Sequence, residues 1–256
     1  MLQFGKMFTE GYSASNMWRF RVSRFFFKII QVILTRLVVE GRENIPTQGP
    51  YILVTNHMST ADTVLVFVGF PAQKWRFFAG EKWHQHPLWG PLMSWLGVIF
   101  INRGEIDRRA LREALAVLAD GTVFALAPEG TRSKTGAMMA AKDGAAFLAS
   151  HARHNGRAVP LLPVGLNNTD VLFAQTRRLR RPTITMRVGS PFTLPDLGHR
   201  PRGRDLSAYT HLIMIQIAAL VDPRHRGIYS DSPALQAYLA GEDPWPYCLA
   251  VAGQVS

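Results

Sequence analysis

The sequence predicts an α/β fold, a mostly parallel sheet with helices on both faces (αβα), and three observations predict it. Short apolar, β-branched runs alternate with helix-like stretches from about residue 50 onward. Motifs bearing histidine, glycine and charge stand at the edges of several of those runs, where open α/β sheets bind ligands. No Gly/Ser linker, low-complexity tract or internal repeat divides the 256 residues, and 47% of them are hydrophobic, enough for a sizeable core.

The elements follow in order. Residues 1–40 are expected to form an N-terminal segment ahead of one domain over 41–256. Between Trp18 and Val39 most residues are apolar, and Arg21, Arg24, Lys28, Gln31 and Thr35 recur at spacings of three and four, the stripe of an amphipathic helix. No apolar run there exceeds three residues, short of the roughly 18 that a spanning helix needs. A small-residue cleavage site is missing, so the segment is not read as a signal peptide. Trp18, Phe20, Phe25, Phe26 and Phe27, edged by arginines, suit the headgroup boundary of an anionic bilayer; a helix packed on its own domain is the alternative. Strands are expected at 51–55, 75–79, 97–101, 122–127, 159–164 and 183–189, and helices at about 61–69, 88–96, 106–119, 142–153 and 207–221. Residues 223–256 carry no interpretable motif.

Composition bounds the partners. With 29 Lys and Arg against 18 Asp and Glu, the net charge of +11 points to anions: the phosphates of lipids, coenzyme or nucleic acid. A single cysteine, Cys248, excludes an intramolecular disulfide and a cysteine-cluster zinc site, and fits a reducing compartment. His84 and His86 with His57 have no recognisable metal spacing, so no metal is expected.

The most informative pair is His57 and Asp62, five residues apart just after an apolar strand. On an uninterrupted helix they would point about 140° apart, so they meet only if the chain bends between them. Ser59 with Asp62 reads as a capping-box start for the helix over 61–69, which puts His57 in a strand-to-helix loop and Asp62 in the first turn. There the carboxylate can hold one imidazole nitrogen while the other faces a substrate. An imidazole of ordinary pKa, about 6.5, is largely neutral at pH 7, and a carboxylate partner selects its tautomer.

Three further segments keep that pair company: Gly97-Val98-Ile99-Phe100-Ile101-Asn102-Arg103, Ala127-Pro128-Glu129-Gly130-Thr131-Arg132-Ser133 and Val159-Pro160-Leu161-Leu162-Pro163-Val164-Gly165. In this order, with Asn56-His57 and Asp62, they resemble the four blocks of the glycerolipid acyltransferase family, typified by 1-acylglycerol-3-phosphate acyltransferases. The resemblance covers about residues 51–166 and departs at Ala127, where the family usually has an aromatic. It implies an αβα domain at a membrane and His57 with Asp62 as general base. It also implies acceptor binding by Arg103, Glu129, Gly130, Thr131 and Arg132, with Glu129 on a glycerol hydroxyl or holding the arginine.

In residue terms, Gly130 lets the backbone approach closely, Thr131 and Ser133 offer hydroxyls, and Arg132 a planar fork for phosphate oxygens. Lys142 and Gly144 open the next helix and could approach a phosphate. The clusters Arg177-Arg178-Leu179-Arg180-Arg181 and Arg200-Pro201-Arg202-Gly203-Arg204 are solvated charge runs that could touch headgroups or coenzyme phosphates.

The resemblance implies transfer of a fatty acyl group from acyl-CoA or acyl-carrier protein, as co-substrate and without a cofactor, to the hydroxyl of lysophosphatidic acid at the cytoplasmic face of a membrane. Glycerol-3-phosphate, a lyso-ornithine lipid or another lysophospholipid are alternative acceptors. The alternative of another class is a non-catalytic basic module for nucleic acid or membrane, which leaves His57, Asp62 and Glu129 unexplained, so no nucleic acid is expected.

Overall fold

Seven strands form the central sheet of the computed structural model, which describes residues 17–71, 74–87, 89–101 and 107–253. Along the chain come α1 (Met17–Leu34), β1 (Arg36–Glu40), β2 (Ile52–Thr55), α2 (Asp62–Gly69), β3 (Trp75–Gly80), α3 (Trp89–Trp95), β4 (Ile99–Ile101), α4 (Arg108–Ala119) and β5 (Val123–Leu126). There follow α5 (Gly144–His151), the hairpin β6 (Arg153–His154) and β7 (Arg157–Ala158), β8 (Leu161–Asn167), α6 (Leu172–Thr176), β9 (Thr183–Val188), α7 (Arg204–Ala218), α8 (Pro233–Leu239) and α9 (Trp245–Ala252).

β8, β2, β5, β3 and β4 are parallel neighbours. β9 pairs antiparallel with β8, and β1 runs parallel to β9, so two strands at one edge are reversed. The sheet is buried on both faces because β2 alternates between two cores. Ile52 and Val54 join Leu118 of α4, Leu148 of α5 and Ile213 of α7, while Leu53 joins Val66 of α2 and Phe20 of α1. Each such fully buried side chain contributes roughly 1.5–3 kcal/mol. The expected αβα layering is therefore observed, and the C-terminal ends of β2, β5 and β8 lie side by side at its centre.

The expected helix over 18–39 is corrected. It ends at Leu34, and Arg36 N–H donates to the Pro182 carbonyl at 2.9 Å to open β1, which pairs with β9 over five residues. Pairing with a distant strand overrides the local helical pattern, and β-branched Val38 and Val39 accept the extended form. α1 packs one side on α2, where Phe20 and Phe27 meet the Phe67 ring at 6.3 and 6.2 Å and Arg24 Nη2 donates to the Val68 carbonyl at 3.1 Å. Its other side leaves Phe25, Phe26, Ile30 and Ile33 exposed. Among the described residues no helix is long and apolar enough to cross a membrane. α8 and α9, both with proline in the first turn, occupy the stretch the motif reading leaves blank and pack on α7.

Candidate active site

The site begins where β2 ends. The wholly buried Asn56 side chain continues the β2–β8 pairing: its Nδ2 donates to the Leu166 carbonyl at 2.9 Å and its Oδ1 accepts from Leu166 N–H at 2.8 Å. That clamp fixes the point at which His57 leaves the sheet. Asp62, 2% exposed, opens α2, and its Oδ2 accepts from Met58 N–H and Ser59 N–H, both at 2.7 Å, and lies 2.9 Å from His57 Nδ1. An ionised carboxylate only accepts, so Nδ1 carries the proton and Nε2 of the neutral ring keeps its lone pair. The bend is thus built, though the expected capping box forms only by half. Asp62 takes the Ser59 N–H, while Ser59 Oγ accepts from Ala61 N–H at 3.3 Å rather than from Asp62. The Asp62 N–H that a capping box would give to that hydroxyl goes to the Ser59 carbonyl instead, at 3.3 Å.

Glu129 is buried behind His57. Its Oε1 accepts from His57 N–H and its Oε2 from Met139 N–H, both at 2.9 Å. Burial is the main influence on its carboxyl and raises its pKa, against the downward pull of those two N–H donors. Ser133 N–H closes the frame on the His57 carbonyl at 2.8 Å. A carboxylate spanning two backbone segments makes the loop after β5 a brace for the histidine.

Gly130 follows with φ of 68°, a left-handed turn suited to glycine. After it the N–H groups of Thr131 and Arg132 donate to no acceptor among the described residues, whereas those of His57, Met58, Ser59, Gly130 and Ser133 are all engaged. The far end of this loop is held by His225, 2% exposed, whose Nδ1 lies 2.6 Å from the Gly136 carbonyl oxygen and whose own carbonyl accepts from Met138 N–H at 2.8 Å. Gly227 (φ 55°) makes that contact possible, since a Cβ there would come within 2.0 Å of the Met138 carbonyl oxygen.

In front of His57 lies a cavity of about 1290 Å³, above the range of roughly 300–1,000 Å³ usual for small-ligand pockets. The β3–β5 ladder ends at Phe77 and Ala125, and beyond it β3 pairs with β4 instead. Phe77 and Phe78, which point to opposite faces, both line the cavity, as do Ala125 and Leu126. The cavity therefore reaches both faces of the sheet where β3 parts from β5.

Of the sequence-derived candidates, His57, Asp62 and Gly130 line this cavity, Glu129 stands buried behind, and Thr131 and Arg132 are exposed beside it but outside its lining. Arg103 lies outside the described residues. Sequence reasoning did not single out the clamp by Asn56, the Met139 donor or His225. Asn56 has one local signal, a polar amide next to a histidine at the end of an apolar strand.

The sequence and the fold are similar to those of known proteins. A family model described as Acyltransferase matches residues 36–167. The 1-acyl-sn-glycerol-3-phosphate acyltransferase of Borreliella burgdorferi is 31% identical over 140 residues, 54% of each chain. The human 1-acyl-sn-glycerol-3-phosphate acyltransferase alpha is 28% identical over 184 residues, 66% of this chain and 58% of that protein. The chain thus spans little more than half the length of these curated relatives. The crystal structure of the 1-acyl-sn-glycerophosphate (LPA) acyltransferase from Thermotoga maritima superposes with a TM-score of 0.60 at 28% identity, covering 77% of each chain.

Proposed function

The chain belongs to the acyltransferase family, and from that premise we propose that it moves a fatty acyl group from acyl-CoA or acyl-carrier protein to the hydroxyl of lysophosphatidic acid, giving phosphatidic acid. The observation that carries the reading is the His57–Asp62 pair at 2.9 Å, with Nε2 left for a substrate beside a large apolar cavity. A thioester is already activated, so transfer needs a base for the hydroxyl more than a covalent intermediate. His57 Nε2 takes the hydroxyl proton as the oxygen attacks the thioester carbonyl. The imidazolium, stabilised by Asp62, then returns that proton to the departing thiolate, and ester and free thiol leave.

The acceptor's phosphate is assigned to Thr131 and Arg132. Consecutive unengaged N–H groups after a left-handed glycine make an anion-binding nest, and Arg132 adds an exposed guanidinium carried on the same turn. Arg132→Ala is expected to raise the acceptor KM about tenfold or more with kcat little changed. An unchanged KM, measured by varying acceptor at fixed donor, would remove Arg132 from the phosphate grip. Thiol release compared among lysophosphatidic acid, glycerol-3-phosphate, a lyso-ornithine lipid and lysophosphatidylcholine tests the whole reading. The first should support the fastest turnover, and a higher rate with another moves the assignment to that acceptor.

The protein is proposed to work as a peripheral or monotopic enzyme at the cytoplasmic face of an anionic membrane, with α1 as its contact. Phe25 and Phe26 are 62% and 59% exposed, and Arg181 donates to the Val32 carbonyl, which fastens the basic loop over 177–181 and its fully projecting Leu179 beside the end of α1. Changing both rings, Phe25→Glu with Phe26→Glu, should weaken binding to anionic vesicles at least about tenfold, because burying two half-exposed rings is worth roughly 2–4 kcal/mol. Undiminished flotation of this variant would move the contact to the arginine loop.

A further inference from the structure

Four cations on the cavity wall have no part in the chemistry above: Arg108 and Arg112 on α4, Lys142 just ahead of α5, and Arg200 ahead of α7. Arg108 and Arg112 are four apart and share one face of α4, and Arg112 Nε donates to the Arg108 carbonyl at 3.2 Å, which turns that side chain back toward the helix start. Among the described residues none of the four meets a carboxylate within salt-bridge distance. The acids on the same wall are engaged elsewhere. Asp62 holds His57, Asp107 accepts from Ala110 N–H at 2.9 Å, and Asp143 accepts from Thr210 Oγ1 at 2.7 Å. The wall therefore carries four cations against three carboxylates, none of the cations within salt-bridge distance of a carboxylate among the described residues, and a low-dielectric cleft concentrates their field on an anion that reaches them.

Its place in the fold says which anion. α4 and α5 follow β4 and β5, so both helices start at the rim that carries His57. They belong, with α7, to the face of the sheet opposite the one covered by α1 and α2. If α1 lies on the bilayer, the cations stand on the side open to water, where a soluble substrate arrives. The same face lends the cavity apolar residues, among them Ile101, Leu111, Leu115 and Phe147. A charged mouth over an apolar wall matches a molecule with phosphate at one end and an acyl chain at the other.

We infer that Arg108, Arg112, Lys142 and Arg200 hold the phosphate of the acyl-thioester donor. This rests on the acyl-transfer reading and adds to it the donor's handle, carried mainly by the three arginines, while Lys142, whose side chain packs on Gly130, stands between them and the Thr131–Arg132 turn that takes the acceptor. Coenzyme and carrier-protein donors share a phosphate-bearing arm attached to the thioester sulfur, so the recognised chemistry is that phosphate.

The test compares three thioesters of one long-chain acyl group, on coenzyme A, on acyl-carrier protein and on N-acetylcysteamine, which has no phosphate. The enzymes are the full-length wild type and an Arg108→Ala, Arg112→Ala, Arg200→Ala variant. Each phosphate-bearing donor's kcat/KM, relative to that of the N-acetylcysteamine thioester, should fall about tenfold or more in the variant through donor KM, and Lys at the same three positions should restore much of it. Equal falls for both phosphate-bearing donors support the phosphate they share, and a fall for the coenzyme thioester alone supports its nucleotide end. An unchanged ratio, or a rise in acceptor KM in place of donor KM, overturns the inference while acyl transfer stands. A wild type inactive with all three donors overturns both.

Discussion

His57→Ala is expected to lower acyl transfer by about 10²- to 10⁴-fold, the usual worth of a positioned general base, while the protein melts close to the wild type. The rate falls because no other imidazole lines the cavity among the described residues. The fold is spared because the Asp62 carboxylate keeps the Met58 and Ser59 N–H donors when the imidazole is gone. His57 is also part-exposed, so the loss is one hydrogen bond at the surface, worth about 1 kcal/mol. Steady-state kcat beside a thermal melt checks this. Near-normal turnover would remove the histidine from the mechanism, and a collapsed melt would make it a structural residue.

The second large effect belongs to Asp62, where two substitutions separate geometry from charge. Asp62 Oδ2 serves three N–H groups at 2.7–2.9 Å, while Oδ1 is buried without a partner among the described residues. Asparagine can put its oxygen where Oδ2 stands and its amide where Oδ1 stands, so the three donors and the imidazole tautomer are kept, the negative charge is lost, and the buried amide N–H groups without an acceptor cost about 1–3 kcal/mol of stability. Asp62→Asn should therefore fold and lower kcat about 10- to 10³-fold, with KM little changed, because the imidazolium formed during attack loses its counter-charge. Asp62→Ala strands two buried N–H groups as well, at about 1–3 kcal/mol each, so it should lose both activity and stability. Equal activity for the asparagine variant and the wild type would mean that Asp62 only orients the ring. A melt as low as that of the alanine variant would show that the amide cannot replace the carboxylate between those donors.

The layered sheet was legible because its central strands are buried on both faces and read as apolar runs between helices. Every expected strand is present within a few residues of its place. What escaped depends on partners far along the chain. The Arg36–Glu40 strand reads locally as the tail of a helix and becomes a strand because β9 lies beside it. The small β6–β7 hairpin does carry a local signal, Asn155-Gly156, with φ of 51° and 76°. Ser232-Pro233 and Pro244 likewise mark the starts of α8 and α9.

At the site the histidine and its carboxylate were legible, since their contact needs only a local bend. Glu129 reads in sequence as an acceptor group or an arginine partner. Its two oxygens instead meet backbone N–H groups of His57 and Met139, one of them 72 residues away, which no spacing rule reports. Arg108 and Arg112 look like the solvated face of an amphipathic helix until the sheet sets that face on a cavity.

Phosphatidic acid formed per free thiol released, measured with a labelled long-chain acyl thioester and lysophosphatidic acid in anionic vesicles, tests the central claim most directly. Burial pushes the Cys248 thiol up to about 12, so the folded protein adds no thiol signal of its own. One phosphatidic acid per thiol, both lost in His57→Ala, is the result expected. Thiol release with free fatty acid in place of the lipid product would contradict acyl transfer and make the protein a thioester hydrolase.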